Sequence, residues 1–256
     1  MTKLKRQSQS AGNLSVHAAG SSETTRVEIA ENVKGISDHI PTHRKPANDE
    51  EFGHYLAGLI DGDGHISTQQ QIAISFHHND APLAYYVKSR LGFGSVYKVK
   101  NKRAVVLVVA ARAGVEKVMR LVNGKFRTER RYEQAINRIL NHKKFVGLLE
   151  EKAFTQNCST DLDNHWLSGF SDADASFQLK TLVSLTRREV RLNFQVDQKT
   201  KPTLLLIQGY LGGNVGYRES TDTYYYGSTS FGVARNVVNY FDRFHLLSSK
   251  HLNYLK

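Results

Sequence analysis

One short acidic motif occurs twice in this chain. It reads Leu56-Ala57-Gly58-Leu59-Ile60-Asp61-Gly62-Asp63-Gly64 and, 111 residues later, Leu167-Ser168-Gly169-Phe170-Ser171-Asp172-Ala173-Asp174-Ala175. In each copy small residues recur at a spacing of four, Gly58 with Gly62 and Gly169 with Ala173. On a helix that spacing makes one small-residue stripe, along which two helices can approach closely. Each stripe ends in two carboxylates. A helix C-terminus already carries partial negative charge, so acids placed there cost free energy, and two such ends brought together add like-charge repulsion. Divalent cations would remove that cost.

The surroundings of the motif repeat in the same order. A strand-like stretch ending in Phe follows each copy, Ile72-Ala73-Ile74-Ser75-Phe76 in the first half and Val190-Arg191-Leu192-Asn193-Phe194 in the second. Next comes a helical stretch closed by a Leu-Gly turn and a new strand, Leu91-Gly92-Phe93-Gly94-Ser95-Val96-Tyr97 against Leu211-Gly212-Gly213-Asn214-Val215-Gly216-Tyr217. Each half therefore reads as helix, hairpin, helix, hairpin, helix. Asp63 and Asp174 fall at equivalent points, which predicts one site at a pseudo-twofold axis.

This pattern resembles the LAGLIDADG homing endonucleases in their monomeric form, where one chain holds two fused copies of an αββαββα unit. The first motif departs from the family name only by Gly62 in place of Ala. The second carries Ser168, Phe170, Ser171 and Ala175 as substitutions but keeps both acids. The resemblance implies an α+β fold of two pseudo-symmetric αββαββα repeats whose antiparallel sheets form a DNA-binding saddle. The boundaries expected are an N-terminal extension over 1–49, a first repeat over 50–155, a linker over 156–163 and a second repeat over 164–256. Asp163 or Asn164 is the expected N-cap of the second motif helix.

Charge agrees with a polyanionic partner. The net charge is +11, the balance of a protein that must hold nucleic acid. The excess is concentrated: residues 51–150 hold 16 Lys and Arg against 8 Asp and Glu, whereas 151–256 hold 12 against 10. Lys98, Lys100 and Lys102 alternate, so a strand through them would place all three on one face. In the family, alternate strand residues enter the major groove, where Arg and Lys pair with guanine and Gln and Asn with adenine. The resemblance thus nominates Ser67, Gln69, Gln71, Lys98, Lys100 and Arg103 from the first half as DNA contacts. From the second half it nominates Gln178, Lys180, Arg187, Arg191, Arg218, Tyr224 and Tyr226. A slip of one residue in register inverts each of these assignments.

The resemblance also assigns chemistry. Asp63 and Asp174 are the acids expected to ligate metal beside the two scissile phosphates, with the carbonyls of Gly62 and Ala173 as further ligands. Oxygen-only ligation suits Mg²⁺, and Ca²⁺, with its looser geometry, would substitute without supporting cleavage. Asp61 and Asp172 are expected to cap or bridge the paired helices. The segment Phe194-Gln195-Val196-Asp197-Gln198 resembles the family segment whose Gln orients the nucleophilic water, which points to Gln198. In the first repeat Phe76-His77-His78-Asn79-Asp80 puts Asp80 there, with Asn79 as the alternative. The basic residue expected near the last helix is Lys250 in the second repeat. In the first it is Arg130, with Arg131 one step away.

Other features set limits. Cys158 is the single cysteine, which leaves no disulfide within the chain and no cysteine-cluster zinc site. No stretch approaches the roughly 18 apolar residues of a membrane-spanning helix, so no membrane partner is expected. The first 22 residues hold Lys3, Lys5 and Arg6, several serines and, with Glu23 just beyond, no acid. Disorder, an organellar transit peptide and a remnant of in-frame upstream translation are competing readings of the extension. A mitochondrial location follows from the family, whose members are often encoded in organellar introns. Some relatives act as RNA maturases, so host intron RNA is an alternative or additional partner to double-stranded DNA.

Overall fold

The first motif helix, α1 (Asp49–Asp63), starts where Asn48 caps it: Asn48 Oδ1 accepts the Glu51 N–H at 2.8 Å, and Glu51 returns to accept the Ala47 N–H at 2.8 Å. Three acids in its first turn complement the helix dipole. Phe52, Tyr55, Leu56, Leu59 and Ile60 are all buried, because α1 is wrapped on most sides. The computed structural model describes residues 43–148, 153–183, 188–228 and 230–255, and Arg44 onward forms one compact unit. The expected N-terminal extension lies, up to residue 42, outside the described residues.

After α1 come β1 (Gly64–Ile66), β2 (Ile72–His77), α2 (Ala81–Leu91), β3 (Ser95–Lys98), β4 (Ala104–Val109), α3 (Arg112–Val122) and α4 (Glu129–Ala135). The second half repeats this order with α5 (Trp166–Asp174), β5 (Ala175–Val183), β6 (Arg188–Gln198), α6 (Pro202–Leu211), β7 (Asn214–Arg218), β8 (Thr223–Ser228), α7 (Phe231–Arg243) and α8 (Lys250–Tyr254). Each half thus ends in two helices rather than the single one expected. The sheets are antiparallel with the same order, β1-β2-β4-β3 and β5-β6-β8-β7. The N-cap of α5 is His165 rather than Asp163 or Asn164, although Asn164 Oδ1 still accepts the Trp166 N–H at 2.9 Å.

Strand alternation fixes which sheet face meets the helices. Ile72, Ile74 and Phe76 of β2 and Val105, Leu107 and Val109 of β4 are buried under α1 to α3, as are Phe194 and Val196 of β6 in the second half. The intervening residues face away from the helices. The halves meet along α1 and α5. A Cβ on Gly58 would lie 2.0 Å from the Trp166 carbonyl oxygen, and one on Gly169 would lie 2.0 Å from that of Tyr55. The small-residue stripe is therefore a requirement of backbone approach.

The linker is held by Arg127, which lies between α3 and α4. Arg127 donates to the carbonyls of Ser159 and Asp161, with its guanidinium 5.4 Å from the centre of the Trp166 ring.

Candidate active site and nucleic-acid interface

The two acids of each motif have different jobs. Asp61 accepts hydrogen bonds from the backbone N–H of Arg127 at 2.8 Å, from Thr128 through both backbone and hydroxyl, and from Trp166 Nε1 at 2.8 Å. Asp172 does the same in the second half, accepting from Leu247 N–H at 2.7 Å, from Ser248 N–H and Oγ, and from Tyr55 Oη at 2.6 Å. Tyr55 and Trp166 sit six residues before their own motif's first acid, so each helix donates to the acid of the other. Burial pushes Asp61 up to about 6 against the opposing pull of these donors. These carboxylates tie α1 and α5 to each other and to the segments that lead into α4 and α8, in keeping with the bridging expected of them.

Asp63 and Asp174 are the last residues of α1 and α5, two positions beyond these bridging acids. Burial, and then the neighbouring Asp63 charge, push Asp174 up to about 6. The Asp63 carboxylate reaches solvent from the floor of the site; loss of hydration on its protein side raises its pKa, offset in part by Lys250 and Arg131. The helix ends are close enough that a Cβ on Gly62 would lie 2.4 Å from that of Ala173.

Two cations flank the acids in matched positions. Lys250 Nζ donates to the carbonyls of Ala173 at 2.7 Å and Ser171 at 3.0 Å. Arg131 donates to those of Gly62 at 3.2 Å and Ile60 at 2.9 Å, which stand one and three residues before their acid as Ala173 and Ser171 do before theirs. The counterpart of Lys250 is thus Arg131; Arg130 is exposed. The signal lay in the helix period, because Arg131 precedes buried Ala135 by one turn. Burial lowers the Lys250 pKa, opposed by the surrounding carboxylates.

The halves differ beside the acids. Gln198 Nε2 donates to Asp174 Oδ2 at 2.7 Å. Strand register makes Phe76 the first-repeat equivalent of Gln198, since Gly64 pairs with Ile74 as Ala175 pairs with Val196. Asp80 lines the same cleft as Asp63, Phe76 and Lys250, but one of its oxygens accepts the Ser249 N–H at 2.7 Å. Asn79 is exposed, with its backbone N–H on His77 Nδ1. Phe76 to Leu91 spans two residues more than Gln198 to Leu211, so the first repeat departs from strict symmetry between these points.

Among the residues nominated for DNA, the register corrects several. Tyr226 is fully buried, with its ring 5.9 Å from that of Phe194, and Tyr224 packs on the same helix-side core. Tyr225 takes the open face instead, with Arg218 4.7 Å above its ring; three consecutive tyrosines carry no alternation from which this register could be read. Arg218 Nη1 also bonds Asp197 Oδ1 at 2.8 Å. Gln178 is exposed on the open face and bonds Ser176 Oγ at 3.2 Å. Lys180 and Arg191 are backbone partners on β5 and β6, and Arg187 lies outside the described residues.

In the first half, β3 ends at Lys98, and Lys98 pairs with the helix-facing Val105. Lys100, Lys102 and Arg103 then form a turn instead of continuing the strand, so the expected single face of lysines is absent. The turn nevertheless gathers Lys98, Lys100, Lys102 and Arg103 around one open cleft with His78. Ser67, Gln69 and Gln71 lie in the β1–β2 turn, where the Ser67 N–H bonds the Gln71 carbonyl at 2.9 Å. Tyr97, absent from the nominated set, is 58% exposed on the open face.

Comparison with known proteins finds two family matches in the chain. Residues 53–123 match the family model described as a LAGLIDADG-like domain, and residues 167–256 match that of the LAGLIDADG endonuclease. A Schizosaccharomyces pombe protein described as an uncharacterized cox1 intron-2 protein is 55% identical over 253 residues, covering 99% of this chain and 77% of its own length. The intron-encoded DNA endonuclease aI3 of Saccharomyces cerevisiae is 29% identical, covering 81% of this chain; the chain spans 62% of that relative. Two solved structures share the fold. The meganuclease I-AabMI bound to uncleaved DNA has a TM-score of 0.61 at 20% identity, over 79% of this chain and 88% of its own. I-SmaMI bound to uncleaved DNA in the presence of calcium has a TM-score of 0.53 at 16% identity, over 79% and 88%.

Proposed function

Because the chain belongs to the LAGLIDADG endonuclease family, we propose that it is a monomeric, site-specific homing endonuclease. It would cut both strands of a long, nearly asymmetric duplex across the minor groove and leave short 3′ overhangs. The observation that carries this reading is the matched pair Asp63 and Asp174, each at a motif-helix end, each beside a carbonyl gripped by a cation from the last helices. Retention of both acids favours cleavage over simple binding.

The donor set fits divalent metal. The Asp63 charge raises the cost of ionising Asp174, and the carbonyls of Gly62 and Ala173 keep a second lone pair after accepting from Arg131 and Lys250. All are hard oxygen donors, which suits Mg²⁺. When bound, Mg²⁺ supplies positive charge to the developing phosphorane and alkoxide and lowers the pKa of a water.

The chain's own groups do the rest. Gln198 holds Asp174 in one orientation through its Nε2 donor and presents its Oε1 as an acceptor for a water proton. Asp80, with one oxygen committed to Ser249, offers the other in the first half-site. Lys250 and Arg131 place positive charge within the site and stabilise phosphate in the transition state. The tip cations at Lys98, Lys100 and Arg103 hold DNA backbone, and the open sheet faces read bases.

A test is cleavage of the cognate duplex by Asp63→Asn and Asp174→Asn proteins. Each is expected to bind DNA but make no double-strand break; retained cleavage in both would sink the assignment. An intron origin in an organelle, and hence mitochondrial action, is supported by the cox1 intron relative. A second activity on intron RNA is motivated by a 26% identical relative named the intron-encoded RNA maturase bI4, of which the alignment covers 28%. Intron splicing that survives loss of both acids would separate the two activities.

A further inference from the structure

The open faces of the two sheets differ at equivalent central positions, with apolar Ala73 and Val106 in the first half where the second has Gln195 and Tyr225, while Ser75 stays polar. Strand register aligns Ala73 with Gln195, Ser75 with Asp197 and Val106 with Tyr225. In the second half these positions form a polar chain: Asn193 Nδ2 donates to Gln195 Oε1 at 3.3 Å, Gln195 Nε2 to Asp197 Oδ2 at 2.8 Å, and Arg218 to Asp197. In the first half the two central strands present Ala73, Val106 and Val108 instead, all half-buried, with Val106 paired to Ser75 and Tyr97 on either side. The tip cations stand at the end of this apolar strip, and the first repeat holds most of the chain's excess positive charge.

An apolar strip beside clustered phosphate-binding cations has a natural ligand in the major groove. Only the 5-methyl group of thymine offers that groove an apolar surface; guanine, cytosine and adenine present donors and acceptors. Pressing those polar edges against Val106 and Val108 would desolvate them with no partner. We propose that the half-site under the first repeat is thymine-rich and is recognised through thymine 5-methyl groups by Ala73, Val106 and Val108, while the second repeat reads its half by hydrogen bonds. This rests on the endonuclease reading and names how one half of its substrate is chosen.

The experiment is selection of bound duplexes from a randomised pool with Ca²⁺ present. Affinity is then measured for selected duplexes in which thymine is replaced by uracil in one half at a time, which removes only the methyl. Replacement in one half is expected to weaken binding about fourfold per contacted methyl, with less than twofold change in the other half. Val106→Thr, which keeps shape but replaces a methyl with a hydroxyl, is expected to shrink that uracil penalty at its position. Val108→Thr provides the same test should Val106→Thr fail to fold. Tight selected binding with equal or absent uracil effects in both halves, or a penalty unchanged in both variants, would overturn the proposal while leaving the endonuclease reading intact. Enrichment of no duplex by folded protein would overturn both.

Discussion

Asp174 carries its proton to about pH 6 because it is buried and because Asp63 stands beside it, while Gln198 pulls in the other direction. Removing each influence gives a signed outcome. Asp63→Asn deletes a nearby negative charge and is expected to move the Asp174 titration down; Gln198→Ala deletes a donor to the carboxylate and is expected to move it up. Carboxyl ¹³C NMR against pH, without metal, checks both. The ionised form is the one that ligates cations, so Ca²⁺ affinity is expected to fall as pH drops through about 6, and a flat profile would count against Asp174 as a ligand. At this scale the residues that the fold gathers at the ends of the motif helices, the acids with Gln198 and Lys250, could be picked from the sequence because each lies in a repeated or motif-bound segment. Arg131 and Tyr225 required the fold: neighbours of the same type, Arg130 and Tyr224 or Tyr226, compete for the same place, and only helix phase or strand register separates them.

Between α1 and α5 the packing is set by backbone contact. Gly58→Ala and Gly169→Ala would each drive a methyl into a carbonyl oxygen on the facing helix. We expect each to destabilise by about 3 kcal/mol or more, read by chemical denaturation. Gly209, inside α6, has nothing within 4 Å of an added Cβ. Gly209→Ala is expected to stabilise by about 0.5 to 1 kcal/mol through helix propensity. Tyr55→Phe and Trp166→Phe each leave a buried carboxylate short of one donor, at a cost of about 1 to 3 kcal/mol. Element order was legible because small-residue spacing, Leu-Gly turns and apolar alternation recur in both halves. The end of β3 was not: alternation of Lys98, Lys100 and Lys102 reads as strand, but Asn101 adopts a left-handed backbone, φ 59°, and the chain turns there.

For the whole molecule, the charge asymmetry and the two unlike sheet faces make the halves unequal partners for DNA. If Lys100 and Arg103 hold phosphates as proposed, Lys100→Gln and Arg103→Gln are each expected to reduce the slope of log affinity against log salt by about one. An unchanged slope would place these residues off the duplex. The pseudo-twofold architecture was readable from duplication alone, whereas the target sequence is not, because base contacts are spread over two faces and bending of the central base pairs adds indirect readout. The most direct measurement is digestion of a randomised duplex library by the protein in Mg²⁺, with Asp63→Asn in parallel, followed by sequencing of the cut ends. The expected result is one long motif with staggered 3′ ends that the variant does not produce. Cut ends made equally by the variant, or no metal-dependent ends from folded protein, would contradict a two-acid endonuclease.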